Sequence, residues 1–277
     1  MIADPDSEVF AGHLQIEAER RPDGRTSLAR QSVRAPFHLS KPYWDGRVLQ
    51  MRIINATAGI LAGDRLELGL RVASGASLLA ITPAATRAFM MARGTAECRQ
   101  RFCVESGAWF ESAAEPLFPH RNSDYLQATR LEVGRGGGAW FAEGLAPGRT
   151  GRGECWEWRR LRLGLDVVLD GGLVLRERFE GSGADLGALA AFHGMAEAWF
   201  GTVIAVSPEL DGADGLLEAA RALKLPGGRI GVTRLRGDCW VARVVAPGSQ
   251  ALRDSLSSLR SVFSSRLPLL SSDLRQV

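Results

Sequence analysis

The stretch Asp64-Arg65-Leu66-Glu67-Leu68-Gly69-Leu70-Arg71-Val72 alternates between apolar and polar side chains. Its leucines and its final valine occupy every second position, while Arg65, Glu67 and Arg71 occupy the positions between them. Because successive side chains of a strand point to opposite sides, the two sets lie on opposite faces. The spacing therefore predicts a β-strand that buries one face.

The same alternation recurs on both sides of this stretch. It is clear in residues 96–105, 161–167 and 173–179. Weaker strands are predicted near residues 12–19, 28–35, 48–54, 76–82, 125–133, 199–206, 229–235 and 239–245. Glycine-rich turn signals lie between them, and we interpret the run Gly134–Gly138 as a hairpin turn.

Helical periodicity occurs late in the chain. Asp214 is positioned to cap a short helix that ends before Pro226. Residues 249–266 place Leu252, Leu256, Leu259 and Phe263 on one helical face. A third, Ala-rich segment near residues 185–198 is interrupted by two glycines.

These patterns predict a mainly β protein with stacked antiparallel or mixed sheets and two or three helices in the C-terminal half. No linker divides the chain, so residues 1–277 are predicted to form one elongated domain with a core of about 10–265. No repeat at a fixed period is evident, which argues against a solenoid of identical units.

The composition excludes several classes of protein. Hydrophobic residues make up 45% and charged residues 23% of the chain, as in folded proteins. The net charge is +3 without a basic run, so nucleic-acid binding is not indicated. The N-terminus lacks the apolar core of a signal peptide, and the most apolar stretch, residues 186–206, contains Glu197. We therefore expect a cytoplasmic protein that does not bind membranes.

Cysteine and histidine spacing gives no metal motif. The four cysteines contain no CxxC pair, and without an export signal they are predicted to be reduced thiols. The four histidines show no HxH or HExxH spacing.

Three loop segments are candidates for chemistry. Residues 55–64 end at Asp64, which could cap a turn or could present a carboxylate to a cation. Residues 114–120 are stiffened by two prolines and carry Glu115 and His120; the segment could form a structural corner, or it could face a partner or line a cavity. Residues 148–154 crowd arginines and Glu154 between glycines.

In this order, the segments resemble the UreD (UreH) family of urease accessory proteins. The matching stretches are Gly59–Asp64, Thr82–Arg87 with Phe89, Glu115–Pro119, Gly148–Glu154 and, upstream, Ala35–Tyr43. The resemblance assigns structural or interaction roles to Gly59, Gly63, Thr82, Thr86, Arg87, Pro116, Pro119, Gly148, Arg149, Arg152 and Gly153. The chain departs from the family pattern at Ala114, at His120 and in the tail 267–277.

The resemblance implies a non-enzymatic scaffold that binds urease apoprotein. It further implies recruitment of a UreF-type protein and, through it, a UreG-type GTPase that loads nickel. No cofactor is expected to bind tightly, whereas Ni²⁺ is expected to pass transiently. The candidates for handling the ion are Asp64, Glu115, His120 and Glu154.

Two other classes of function remain open on the sequence. A carbohydrate-active enzyme on a β-scaffold could use Asp64 and Glu154, provided that their carboxyl groups lie about 5–10 Å apart in an open cleft. A plain protein-interaction module would use the same region without any metal.

Overall fold

The computed structural model describes residues 11–192 and 194–271, with the side chains of residues 268 and 271 excepted. Over these residues the chain is mainly β, as the sequence predicts. The strands in chain order are β1 Ala11–Arg20, β2 Thr26–Arg34, β3 Phe37–Leu39, β4 Tyr43–Asp45, β5 Val48–Asn55, β6 Arg65–Val72, β7 Ser77–Thr82, β8 Thr86–Ala88, β9 Ala96–Val104, β10 Trp109–Ala114, β11 Leu117–Pro119, β12 Asp124–Val133, β13 Gly138–Leu145, β14 Arg160–Leu169, β15 Gly172–Gly181, β16 Trp199–Val206, β17 Arg229–Arg236 and β18 Cys239–Ala246.

The strands form two sheets. The first has the order β15-β14-β12-β9-β6-β1-β2, and the second has the order β17-β18-β16-β13-β10-β7-β5-β3. The central neighbours of both sheets are parallel, whereas the pairs β1–β2, β14–β15, β13–β16, β16–β18, β17–β18 and β3–β5 toward the ends of the sheets are antiparallel. Mixed sheets are therefore confirmed, with parallel pairing at their centres.

Between β6 and β14 the long strands alternate between the two sheets like the turns of a coil. Tight turns join β6 to β7, β9 to β10 and β12 to β13, each with a left-handed glycine: Gly75, Gly107 and Gly136. The run Gly134–Gly138 thus connects the two sheets, and its interpretation as a hairpin turn is wrong. The three turns recur at intervals of about 30 residues, a weak repeat that differs enough between copies to escape a search for a fixed period.

The strands β10 and β13 were not predicted, because they are buried on both faces and do not alternate. Phe110 and Phe141 face the core between the sheets. Trp109 and Trp140 face outward, where helices cover the second sheet. A strand that is buried on both faces has an almost continuous apolar sequence.

Three α-helices come after β15 in the chain: α1 Gly183–Phe192, α2 Asp214–Arg221 and α3 Ser249–Ser264. The predicted stripe on α3 is confirmed, since Leu252, Leu259 and Phe263 are buried against the second sheet. The predicted cap of α2 is wrong: the helix begins at Asp214, which pairs with Arg234 instead. The helix predicted near 185–198 ends at residue 192.

All four cysteines are free thiols, as predicted. Within residues 11–192 and 194–271, no helix is long and apolar enough to cross a membrane. Of the tail 267–277, residues 272–277 lie outside the described part of the chain.

Candidate functional site

A cavity of about 740 Å³ lies between the two sheets. Its walls come from β6, β9, β12, β14 and β15 on one side and from β5, β7, β10, β13, β16 and β18 on the other. Leucine, isoleucine and phenylalanine side chains supply much of the lining, and polar or charged side chains interrupt it, among them Asn55, Thr82, Cys98, Gln100, Glu115, Gln127, Glu143, Glu177, Thr202 and Arg243. An apolar cavity with a few convergent polar groups is the usual form of a binding site.

Strand register aligns the polar groups into facing rows. On the second sheet, Glu143 pairs with Thr202, and Thr202 pairs with Arg243. Directly paired residues project from the same face of a sheet, so these three side chains form one row across β13, β16 and β18. On the first sheet, Gln127 pairs with Cys98, and the next row inward carries Gln100 and Thr129.

Two contacts connect the facing rows across the cavity. The Nε2 atom of Gln127 donates to Oε2 of Glu143 over 3.5 Å. The guanidinium of Arg243 donates to Glu177 on the opposite sheet and to Thr202 beside it. A polar belt therefore crosses the apolar interior from β12 and β13 to β15 and β18.

The electrostatics of this belt centre on Glu143. Glu143 is half-buried, and its side chain borders the cavity. Burial raises the pKa of Glu143 to about 7, and the positive charge of Arg243 opposes that rise. Burial likewise raises the pKa of the Cys98 thiol to about 11, so this cysteine is protonated at neutral pH. The cavity can therefore gain or lose one negative charge near physiological pH.

This pKa makes the stability of the protein depend on pH. The pKa of Glu143 in the folded protein lies above its ordinary value of 4.5, so the folded protein binds the proton more tightly than the unfolded chain. The resulting stabilisation is complete below about pH 4.5 and is lost as the pH rises through 7. Between pH 5 and pH 8, we expect the free energy of unfolding to fall by up to about 3 kcal/mol more in the wild type than in Glu143→Gln. Urea denaturation across this range measures the difference, and parallel pH profiles would contradict it.

Glu115 is the candidate carboxylate that lines the cavity. Its Oε2 atom lies 3.6 Å from Nη1 of Arg253 on α3. Thr82 and Thr86, which the resemblance singled out, also line the cavity. Arg87 is exposed, and its carbonyl receives the backbone N–H of Ile60 beside Gly59. Pro116 and Pro119 are buried, so the segment forms a packed corner that also presents Glu115 to the cavity.

Asp64 and His120 do not line the cavity. The Oδ2 atom of Asp64 accepts the backbone N–H of Leu61 at 2.8 Å, closing a turn that includes Gly63 at φ +88°. The turn-capping alternative for Asp64 is thus confirmed. His120 is buried with its ring 4.9 Å from that of Phe89, and burial lowers its pKa with help from Arg149 and Arg87. A role in handling metal stays a prediction for both residues.

Glu154 is held by Arg149 in a two-pronged ion pair. Nε of Arg149 donates to Oε2 over 2.8 Å, and its Nη2 donates to Oε1. The Arg149 guanidinium holds the pKa of the Glu154 carboxyl below its usual value. Gly148, at φ +128°, permits the turn, because a Cβ there would lie 2.7 Å from the Glu154 carbonyl. Glu154 does not line the cavity, and Gly153 completes the turn with a left-handed φ.

Removing this ion pair is expected to destabilise the fold. Arg149→Ala leaves Glu154, a residue that is 9% exposed, without its guanidinium partner, so we expect a loss of about 1–3 kcal/mol in the free energy of unfolding. Arg152→Ala, in the same turn but with an exposed side chain, is the matched control and should change that free energy by less than about 0.5 kcal/mol. Equal effects of the two variants would show that the pair is not structural.

The donor set of the cavity suits weak binding. Across residues 11–192 and 194–271, no three histidine, cysteine or carboxylate side chains converge on a point where an ion could be held. The cavity offers separate carboxylates with amide and hydroxyl oxygens between them. Such sites bind a divalent cation transiently, because tight sites need several ligands at once.

Sequence reasoning missed Glu143, Glu177 and Arg243. Glu177 lies between Leu175 and Phe179 on the face that was predicted to be apolar, and Arg243 lies between Val241 and Val245. A single charge on the buried face of a strand was the available signal. Glu143 gave no such signal, because its strand β13 was not predicted.

Comparison with known proteins gives consistent results. Residues 11–275 match the profile of the UreD urease accessory protein family. The urease accessory protein UreD of Opitutus terrae is 46% identical over 271 residues, which cover 97% of this chain and 99% of that protein. The protein of the same name from Alkalilimnicola ehrlichii is 29% identical over 92% of this chain and 86% of its own length.

Proposed function

The chain belongs to the UreD family of urease accessory proteins, and from this we propose that it is a cytoplasmic, non-enzymatic scaffold that binds urease apoprotein during activation. In this proposal it also recruits a UreF-type protein and, through that protein, a UreG-type GTPase that supplies nickel. The similarity over nearly the whole length of that relative supports an accessory role.

We further propose that Ni²⁺ passes through the cavity between the sheets on its way to urease. The observation that carries this proposal is the polar belt inside an otherwise apolar core, with Glu115, Glu143 and Glu177 along one cavity. Ni²⁺ accepts oxygen ligands, and separate carboxylates allow the ion to leave each position. Of the candidates from the sequence, Glu115 fits this route by position.

The alternative of a carbohydrate-active enzyme finds no support in this geometry. Asp64 is engaged in a turn, Glu154 is paired with Arg149, and neither side chain borders the cavity.

Co-expression tests the scaffold. The tagged chain is expressed with urease subunits and the other accessory proteins, and urease is assayed with and without added nickel. We expect the chain to co-purify with urease apoprotein and to make activation dependent on nickel. No association and no loss of activation in a strain that lacks the chain would contradict the proposal. If the chain co-purifies with urease apoprotein but substitutions in the cavity leave activation unchanged, the plain interaction module would be favoured.

A further inference from the structure

The ion pair between Arg243 and Glu177 is unusual in position. Both residues line the cavity, and the pair joins β18 of the second sheet to β15 at the edge of the first. About a third of each side chain is accessible, at 37% for Arg243 and 39% for Glu177. A pair with this much access is held weakly enough to open, because water screens its attraction.

Arg243 also acts on the second carboxylate of the belt. Glu143 lies two strands away in the same row, and Thr202 lies between them and accepts a hydrogen bond from the Arg243 guanidinium. Strands are spaced about 4.8 Å apart, so a long side chain from β18 reaches toward β13. The guanidinium charge favours ionised Glu143, whose hydrogen bond from Gln127 is long. Arg243 is thus a counter-ion that two carboxylates share.

The other positively charged side chains that border the cavity near this pair are bound to a different carboxylate. Arg176 and Arg178 border the cavity from β15, and both bind the carboxylate of Asp166 on the neighbouring strand. Apart from Glu115 and the charged residues already named, the described side chains that line the cavity are uncharged, among them Gln127 and Leu186. Removing Arg243 would therefore leave Glu143 and Glu177 facing one cavity with no cation committed to them.

We propose that Arg243 is a tethered counter-cation that closes the cavity at this belt, and that a divalent cation passes only by exchanging with its guanidinium between Glu143 and Glu177. The proposal rests on the proposed route for nickel and adds a regulated step to it. A cation that enters must displace a charge which the protein itself supplies, and the guanidinium returns when the ion leaves. The site then never stores the ion, as delivery requires.

The test is Ni²⁺ binding to the purified full chain at pH 8, measured by titration calorimetry. Arg243→Met keeps the bulk of the side chain and removes its charge, so we expect Ni²⁺ affinity to rise at least tenfold. Arg243→Lys keeps a cation in place and should bind Ni²⁺ like the wild type. Adding Glu143→Gln to Arg243→Met should abolish the gain. Arg160→Met, which breaks an exposed pair with Glu180 away from the cavity, is the matched control and should leave affinity unchanged.

An unchanged affinity in Arg243→Met would overturn the proposal, and so would an equal gain in Arg243→Lys or a gain that survives Glu143→Gln. The measurement needs no urease, so its failure is separate from failure of the scaffold. If activation of urease depends on the chain while Arg243→Met binds no more Ni²⁺, the exchange step is wrong and the accessory function stands. If Arg243→Met binds Ni²⁺ more tightly while urease activation does not depend on the chain, the counter-cation role of Arg243 is supported and the accessory function is wrong.

Discussion

Ala114→Trp is expected to reduce nickel-dependent activation of urease at least tenfold. Ala114 lines the cavity beside Glu115, and in the second sheet it pairs with Thr82, which lines the cavity too. An indole at this position projects into the open volume and narrows the route. Because the cavity of about 740 Å³ has room for the ring, the cost of overpacking should stay within about 1–3 kcal/mol. The assay is urease activity after co-expression with the other accessory proteins.

The matched control is Ala128→Trp. Ala128 is exposed on β12, so the same substitution adds the same ring outside the cavity. Both variants should co-purify with urease apoprotein in wild-type amounts. Full activation by Ala114→Trp would show that nickel does not need this route, whereas equal losses in both variants would point to a general effect of the added ring.

Arg260→Met is expected to produce the largest loss of stability. Arg260 on α3 binds Glu111 on β10 through two contacts, Nε to Oε1 over 2.7 Å and Nη2 to Oε2 over 3.2 Å. Glu111 is 1% exposed, so removing its partner leaves a buried carboxylate without compensation. Breaking a buried ion pair in this way costs about 3–5 kcal/mol in the free energy of unfolding. Chemical denaturation of the two proteins measures it.

The effect should depend on pH in a defined direction. Burial already raises the pKa of Glu111 against the opposing effect of Arg260. Without Arg260, the Glu111 carboxyl can become neutral by binding a proton, which is easier at low pH. Arg260→Met should therefore destabilise the protein less at pH 5 than at pH 8. Arg160→Met, at an exposed pair, should cost no more than about 1 kcal/mol at either pH. A loss below about 1 kcal/mol for Arg260→Met at pH 8 would contradict the account.

Much of the fold could be predicted because most strands bury only one face. The alternation in 64–72, 96–105 and 161–167 gave β6, β9 and β14 within a few residues. The strands β10 and β13 could not be found in this way, since helix α3 covers their outer face and removes the alternation. The parallel pairing of the central strands could not be predicted either. It depends on turns that connect one sheet to the other, and the local sequence of these turns resembles that of hairpin turns.

The candidate site was predictable only in part. Glu115 could be singled out because two prolines fix its segment, and the structure brings it to the cavity. The polar belt could not be predicted, because Glu143, Glu177 and Arg243 lie far apart in the sequence and meet only through strand register. Glu154 could be singled out because it lies in a turn crowded with glycines and arginines. The structure explains that crowding, since Glu154 forms an ion pair with Arg149.

The most direct test of the account is nickel transfer in the presence of a chelator. A complex of urease apoprotein, this chain and its accessory partners is loaded with Ni²⁺ and then challenged with excess EDTA as transfer begins. An ion that moves through the cavity between the sheets stays out of bulk water, so urease activation by the wild-type complex should persist. The complex with Ala114→Trp should lose this resistance. Complete loss of activation in the wild-type complex would mean that nickel is released to solvent, and it would contradict the proposed route.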